Sequence, residues 1–205
     1  VSGAYAYLAD GPGGVRTVDI SDPAQPREID VLATPGYAWD VVLDGGHAYV
    51  ADRTGGLRIL SLADPAHPRE VAGFERAAVA LGVEVRDGLA YIASGPSGLT
   101  IVDVSDPASP RLAGSFMPAG TMHGVVLAGD RAYVAAGKNG LRVIDISDPA
   151  NPREMDVLPL PGVAERIAVD GDHVYVAGEY GGLASVRVSG TGQAEGIYLP
   201  WSARP

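Results

Sequence analysis

The sequence predicts an all-β protein built from a tandem repeat, and three observations support this prediction. A tyrosine opens a similar segment every 42 residues, and the five tyrosines are Tyr7, Tyr49, Tyr91, Tyr133 and Tyr175. The 28 glycines and 16 prolines stand in short clusters, as they do between short strands, and no segment carries helix caps. Apolar residues make up 46% of the 205 residues, enough for a sizeable core. A perfect period of this kind indicates units that bury their faces against each other.

The second copy of the repeat is complete and predicts four short antiparallel strands. These strands are Trp39–Leu43, Ala48–Asp52, Leu57–Leu62 and Arg69–Gly73. The turn 44–46 between the first two is Asp-Gly-Gly, whose residue types tolerate the positive φ of a hairpin turn. The loop 53–56 ends in a glycine that recurs in every copy, and two prolines in the segment 63–68 separate the third strand from the fourth.

Four antiparallel strands in about 42 residues match one blade of a β-propeller. Strands such as Ala132–Ala136 are apolar at nearly every position, as expected where neighbouring blades cover both faces of a sheet. The sequence therefore predicts one β-propeller domain over residues 1–205 with five four-stranded blades. The repeats span approximately 1–36, 37–78, 79–120, 121–162 and 163–205. Since Val1 aligns with Leu43, we expect the first blade to lack its innermost strand and the chain to be part of a longer protein.

The third strand and its exit turn carry a recurrent motif. Its copies include Leu99-Thr-Ile-Val-Asp-Val-Ser-Asp-Pro107, Val18-Asp-Ile-Ser-Asp-Pro23 and Leu141-Arg-Val-Ile-Asp-Ile-Ser-Asp-Pro149. These segments resemble the LVIVD repeat, found in predicted β-propellers of bacterial and archaeal cell-surface proteins. The fifth copy, 186–192, lacks both the Asp and the Asp-Pro, as a terminal repeat can. The resemblance covers essentially the whole chain and implies a propeller fold and an extracytoplasmic, secreted or cell-surface location, but little about activity.

Charge and composition exclude several classes of function. The formal net charge of −10 disfavours nucleic-acid binding, which requires a basic surface. No apolar run approaches the roughly 20 residues of a membrane helix, so no membrane insertion is expected. The absence of cysteine excludes disulfides and thiolate chemistry. No cofactor motif is visible, because the glycine-rich loops lead into strands and not into helices.

The acidic turns of the motif are expected to be structural. In segments such as Asp19-Ile-Ser-Asp22, carboxylates before a proline accept backbone N–H bonds, whereas a Ca²⁺ site needs six or more oxygens. We therefore predict no metal. A recurrent arginine after the second proline is predicted to pair with the aspartate at the end of the third strand and to tie the outer strands together. The residues concerned are Arg27, Arg69, Arg111, Arg153, Asp19, Asp103 and Asp145.

The copies disagree at the start of the first strand, although packing alone would demand similar residues in every copy. The first column reads Trp39, Leu81, His123, Glu165 and the second Asp40, Gly82, Gly124, Arg166. In a propeller this strand lines the central channel. We therefore expect one end of the channel to be lined by Tyr37, Trp39, Asp40, Glu84, His123, Glu165 and Arg166, with Arg53, Lys138, Glu179 and Tyr180 at the rim. This mixture is typical of a pocket for a small polar ligand, and a merely solvated channel mouth is the alternative.

Three functions follow from this interpretation. Because no nucleophile, metal cage or cofactor motif is visible, the sequence favours a non-enzymatic module that presents loops and a channel mouth to a protein or glycan partner. The alternative is an enzyme, a lyase, isomerase or hydrolase, with His123 and Glu165 as acid and base and Arg166 holding an anionic substrate. The third is a scaffold within a larger assembly, whose open strand edge pairs with a strand of another chain.

Overall fold

The computed structural model describes residues 1–77, 79–179 and 181–188, and the backbone of 194–199. Within these residues the chain forms nineteen strands and no helix, and therefore contains no helix that is long and apolar enough to cross a membrane. The first sheet comprises β1 (Tyr5–Ala9), β2 (Val15–Asp19) and β3 (Arg27–Leu32), and the second β4 (Asp40–Asp44), β5 (His47–Ala51), β6 (Leu57–Ser61) and β7 (Arg69–Phe74). The third comprises β8 (Gly82–Arg86), β9 (Leu89–Ala93), β10 (Leu99–Asp103) and β11 (Arg111–Phe116), and the fourth β12 (Gly124–Ala128), β13 (Arg131–Ala135), β14 (Leu141–Asp145) and β15 (Arg153–Leu158). The fifth comprises β16 (Val163–Asp170), β17 (His173–Glu179), β18 (Gly182–Val188) and β19 (Ala194–Leu199).

Each repeat forms its own sheet, with the strands in chain order. Four sheets have four strands, and the first has three because it lacks the innermost strand. The strands predicted in the second copy match β4 to β7 within one residue at each end. The predicted fold class, an all-β chain with five repeats and an incomplete first blade, is confirmed and is consistent with a β-propeller.

The first hairpin of each repeat is closed by a two-residue turn. In the second repeat Asp44 is the last residue paired with β5, opposite His47, and the turn residues Gly45 and Gly46 have φ of 52° and 77°. Two successive residues with positive φ are the mark of a type I′ turn, whose twist matches that of the flanking strands. The predicted hairpin is therefore confirmed in its turn chemistry as well as in its pairing.

A second glycine is required at the loop between the second and third strands. Gly56 has φ of 76°, and a Cβ at this position would lie 2.4 Å from the carbonyl oxygen of Phe74 at the end of β7. The same holds in three other repeats, at Gly14, Gly98 and Gly140. Their φ values lie between 77° and 85°, and a Cβ added at each would lie 2.2 Å from the matching carbonyl oxygen. The recurrent glycine therefore lets the loop pack against the end of the outermost strand.

The chain divides into two compact units, Val1–Ile92 with Ile101–Ala113, and Ala93–Thr100 with Gly114–Pro205. The core of the first unit is formed largely by the middle strands of its sheets, where consecutive residues such as Val50 and Ala51 are both fully buried. Since consecutive residues of a strand point to opposite faces, both faces of these strands are covered. The second unit has its own core around Tyr133, Leu141 and Val176. The single domain over 1–205 stays a prediction.

Candidate functional site

The predicted site residues fall into both compact units. The first unit contains Tyr37, Trp39, Asp40, Glu84 and Arg53, and the second contains His123, Glu165, Arg166, Lys138 and Glu179. Tyr180 lies outside the described residues. The structure therefore shows two local arrangements, and the convergence of all these residues on one channel end stays a prediction.

In the first unit, two aromatic rings and a guanidinium form one surface. The ring centroids of Tyr37 and Trp39 are 5.9 Å apart and the rings are tilted by 44°. The Cζ atom of Arg53 lies 5.0 Å from the Trp39 centroid and 5.5 Å from the Tyr37 centroid, within the range of a cation–π interaction. Each aromatic residue is 38% exposed, so the group is part of the surface and not of the core. We call Tyr37, Trp39 and Arg53 the aromatic–arginine cluster.

The backbone of two neighbouring repeats holds the cluster in place. Gly11, in the loop after β1, exchanges two hydrogen bonds with Ala38, with N–O distances of 2.9 and 3.0 Å. A Cβ on Gly11 would lie 2.5 Å from Cζ of Tyr37, so this ring packs directly on the Gly11 backbone. The Trp39 amide donates to the carbonyl of Ala51 at 2.8 Å, which sets the second ring at the entry to β4.

Arg53 adopts a backbone conformation that is occupied by glycine in three of the other repeats. Its φ is 45°, and the residues at the same position in other repeats are Gly11, Gly95 and Gly137, with φ of 55°, 52° and 58°. A residue with a Cβ in this left-handed region costs about 1–2 kcal/mol. Sequence reasoning placed Arg53 at the rim. Three of the five positions in this column are glycine and two carry a charged residue, Arg53 and Glu179, and this difference was the available signal in the sequence.

Asp40 and Glu84, both predicted site residues, interact electrostatically. The Asp40 carboxylate accepts hydrogen bonds from the amides of Val41, at 3.0 Å, and Val83, at 3.2 Å, which joins β4 to β8. Burial raises the pKa of Glu84, the charge of Asp40 raises it further, and Arg86 opposes the shift. A carboxyl group with a raised pKa can hold a proton at a higher pH than usual, which is a property of general acids.

We expect the substitution Glu84→Gln to stabilise the protein at neutral pH. Because the folded state raises the pKa of Glu84, folding becomes less favourable as the pH rises from the ordinary Glu value of about 4.3 through the raised folded value. The variant should therefore have a higher urea midpoint than the parent at pH 7 and a similar midpoint near pH 4. Asp44→Asn, an exposed change at the end of the adjacent β4, serves as the control. A loss of stability at pH 7 in Glu84→Gln would contradict the prediction.

In the second unit, His123 lies at the entry to β12 and Glu165 lies in β16. The His123 amide donates to the carbonyl of Ala135 at 2.8 Å. The register of β16 shifts between Ala164 and Arg166, so Glu165 is the extra residue of a β-bulge. A Cβ on Gly124 would lie 3.0 Å from the Glu165 carbonyl oxygen, which places the bulge beside the start of β12.

The electrostatics of this second arrangement favour a neutral imidazole. Burial lowers the pKa of His123, and the nearby Glu165 charge opposes that shift. A neutral imidazole can accept a proton, as a general base must. Within the described residues no hydrogen bond joins the two side chains, and both Glu165 and Arg166 are exposed. The arrangement thus has the groups for acid–base chemistry without a preformed dyad.

The acidic turns of the motif satisfy backbone donors, as predicted. Asp19 accepts a hydrogen bond from the Ser21 amide at 2.8 Å, and Asp103 accepts from both the amide and the hydroxyl of Ser105, at 3.0 and 2.6 Å. The hydroxyl and amide of Ser105 hold the pKa of Asp103 below its usual range. The recurrent arginine stands opposite the aspartate in the strand register, for example Arg27 opposite Asp19. Among the described residues, however, the predicted ion pair does not form, because none of these arginines lies within 4 Å of its aspartate's carboxylate oxygens.

A recess of about 150 Å³ is formed at the third copy of this motif. Its walls are Asp103, Ser105, Asp106, Ser109 and Arg111. Across the part of the chain that the structure describes, no group of three or more His, Cys, Asp or Glu side chains is arranged to hold a metal ion.

A buried polar network in the second repeat was not identified from the sequence. Asp52 is fully buried, accepts hydrogen bonds from the Thr34 hydroxyl at 2.6 Å and the Gly36 amide at 2.7 Å, and lies 3.9 Å from Nε of Arg58. Arg58 also contacts Glu70 at 3.2 Å. The network joins the linker before β4 to the middle of the sheet. The sequence did contain a signal for this network, because Asp52 and Arg58 have the same separation along the chain as Asp10 and Arg16 in the first repeat.

β1 is incompletely covered compared with its equivalents. Leu8 is 47% exposed, whereas the matching residues Val50, Ile92 and Val134 are fully buried. The other sheets carry an inner strand beside this position, and the first sheet begins at β1. Ser2 and Tyr5 exchange two backbone hydrogen bonds, of 2.8 and 3.1 Å. They form a tight turn before β1 that corresponds to the turn between β4 and β5 in the second repeat. Within the described residues β1 is therefore an edge strand that pairs with β2 alone.

Comparisons with known proteins agree with this architecture. A family model described as the LVIVD repeat matches residues 1–34, 35–75, 79–118, 119–157 and 161–190. No curated protein matches the chain. Among solved structures, a functionally unknown protein from Desulfotomaculum acetoxidans DSM 771 is similar with a TM-score of 0.74 and 14% identity, over 95% of this chain and 68% of that one.

The structural likeness, at this identity, concerns the fold alone and carries no function. The matches to the family model are stronger evidence of relationship, because each matched range falls on one sheet and the five ranges together cover most of the sequence. The chain belongs to the LVIVD-repeat family.

Proposed function

We propose that this protein is a non-enzymatic binding module, and that the aromatic–arginine cluster is its contact with a protein or glycan partner. The observation that supports the proposal is the exposure of two neighbouring aromatic residues, each 38% exposed, beside an arginine held in a strained backbone conformation. Trp, Tyr and Arg are the residue types most enriched at the energetic centres of interfaces.

The cluster has the properties of a contact surface and not of core packing. Its rings are partly solvated, so their burial contributes to stability only in part, yet the backbone of Arg53 costs about 1–2 kcal/mol to maintain. Backbone strain that gives little to the core is commonly found at functional positions. The rings are also held by the backbone of two repeats, which reduces the entropy lost on binding.

The substitution Trp39→Ala is expected to weaken partner binding by about 30-fold or more, the effect of losing a central aromatic contact. Because Trp39 is 38% exposed, the substitution also removes part of its packing, and circular dichroism must first show that the variant is folded. Binding is measured with the purified protein on a glycan array and on a peptide-display library. Val71→Ala, a change at a residue 41% exposed on the outer strand β7 of the same repeat, serves as the control. Equal binding by both variants would remove the cluster from the proposal.

Strand addition at β1 is a second candidate, and the exposure of Leu8 favours it. An incoming strand would pair with the edge of β1 and cover Leu8, as the inner strands of the other sheets cover the equivalent residues. A peptide with the sequence of residues 39–44, which contains β4 and the residue before it, is the appropriate probe. It should slow hydrogen exchange at the β1 amides, and unchanged exchange at saturating peptide would refute this candidate.

An enzyme remains the alternative to both. His123 as a neutral base, with Glu165 beside it and Arg166 as the residue that would contact an anionic substrate, supports a lyase, isomerase or hydrolase acting on a small anion. Turnover that is unchanged in His123→Ala would exclude this assignment.

We also propose an extracytoplasmic location, with no nucleic-acid partner and no cofactor. The family resemblance supports the location, and the net charge of −10 supports the absence of nucleic-acid binding. Fractionation of cells that produce the full-length protein tests the location, and recovery in the cytosol would refute it.

A further inference from the structure

We propose that the aromatic–arginine cluster recognises a carboxylate-bearing sugar, with the carboxylate on the guanidinium of Arg53 and a C–H face of the sugar ring on Trp39. This inference rests on the proposed function and specifies its ligand. The class of ligand is a glycan that contains a single accessible hexuronate.

The first argument is the hydrogen-bonding state of Arg53. Its guanidinium contacts the two aromatic rings and, within the described part of the chain, neither donates a hydrogen bond nor lies within 4 Å of a carboxylate oxygen. Arg16, Arg58 and Arg142, by contrast, are paired with carboxylates in their own sheets. Among the described residues other arginines, such as Arg27 and Arg69, are also outside ion-pair distance of a carboxylate, but Arg53 is the one whose guanidinium lies over two partly exposed aromatic rings. All five of its N–H donors are available to a ligand.

The second argument is geometric. The Cζ atom of Arg53 lies 5.0 and 5.5 Å from the two ring centroids, and N–H groups that point away from the rings can donate to a carboxylate in a bidentate pair. Contact with two rings limits the rotation of the side chain, so less entropy is lost when the pair forms. The charge and the planar fork of Arg53 therefore select a carboxylate over a neutral acceptor.

The third argument concerns the remainder of the ligand. Both aromatic residues keep more than a third of their surface exposed, so the ligand needs an apolar face beside its carboxylate. The C–H groups on one face of a pyranose carry partial positive charge and lie favourably on the negative face of an indole. An acidic peptide side chain offers methylene groups but no such face. The exposed Thr54, next to Arg53, adds a hydroxyl within the same loop for a sugar hydroxyl.

The charge of the whole chain restricts the ligand further. A net charge of −10 repels dense polyanions at long range, so recognition depends on the short-range contacts of the cluster. The inference therefore specifies an isolated uronate in an otherwise neutral glycan and not a highly sulfated chain.

The test compares a glucuronate-terminated oligosaccharide with its methyl ester and with the glucose-terminated analogue, by calorimetry on the intact protein. The parent protein should bind the acid at least about tenfold more tightly than the ester, because the ester cannot form the charge-assisted pair. Arg53→Gly introduces the residue found at the equivalent positions 11, 95 and 137, so the variant is expected to fold. It should bind acid and ester equally. Arg27→Ala, on the outer strand of the first sheet, is the control and should keep the preference.

The outcomes separate this inference from the proposed function. Equal affinity of the parent protein for acid and ester, with Trp39 still required, would overturn the uronate assignment and leave the binding module in place. Binding of acidic peptides in an Arg53-dependent manner without sugar binding would also overturn it and would indicate a protein partner. If no sugar or peptide probe shows a dependence on Trp39, both the uronate assignment and the role of the cluster are wrong.

Discussion

Replacing Asp52 with alanine is expected to lower the free energy of unfolding by about 3–5 kcal/mol, the effect of removing one partner from a buried charged network. The carboxylate is fully buried and accepts hydrogen bonds from Thr34 and Gly36. Without it, the Thr34 hydroxyl and the Gly36 amide lose their acceptor, and buried Arg58 loses a nearby negative charge. Urea unfolding followed by circular dichroism measures the change.

The first repeat supplies a matched control for this substitution. Asp10 contacts Arg16 at 2.6 Å with the same residue spacing, but the two side chains are 46% and 37% exposed. Exposed ion pairs of this kind contribute less than about 1 kcal/mol, so Asp10→Ala should be nearly neutral. Similar losses in the two variants would show that burial of Asp52 is not the source of its effect.

The substitution Gly56→Ala should destabilise the protein by about 3 kcal/mol, since the positive φ and the steric overlap both oppose a side chain. The new Cβ would lie 2.4 Å from the Phe74 carbonyl oxygen, which is a backbone atom and cannot rotate away. The loop would have to move off the end of β7 and lose the hydrogen bond that the backbone amide of Asp52 donates to the Gly56 carbonyl. Thermal unfolding of the variant measures the loss.

Gly45→Ala is the control for the steric part of this prediction. Gly45 also has a positive φ, 52°, but no atom lies within 4 Å of the position of its Cβ. Its substitution should therefore cost only the conformational part, about 1 kcal/mol. If Gly56→Ala were no more destabilising than Gly45→Ala, the close approach of the loop to β7 would not be needed for folding.

The fold was largely predictable because its signals are local and repeated. The turn after β4 needs two residues with positive φ, and the sequence places Gly45 and Gly46 there. The loop after β5 needs a glycine against a carbonyl, and the period returns one at the same place in each repeat. Agreement between local rules in consecutive copies makes strand order and register readable without a structure.

The candidate site was predictable in part. Disagreement between the copies identified Tyr37 and Trp39, and the structure brings both rings together in the first unit. The comparison of the copies did not reveal that the Arg53 guanidinium lies over these rings, because the contact joins two segments on either side of the hairpin of β4 and β5. The position of an arginine side chain over a ring is decided in space, and a repeat alignment compares positions along the chain.

The sequence by itself determined the number of repeats, the strands of each sheet and the turns between them, because these depend on backbone preferences that act over a few residues. The tertiary structure decided which of two equivalent residues is buried. Asp52 is covered by Thr34 and Gly36 while Asp10 is exposed, and Val50 is covered by an inner strand while Leu8 is not. Burial depends on what the neighbouring segment contributes, and equivalent positions of a repeat share their sequence but not their neighbours.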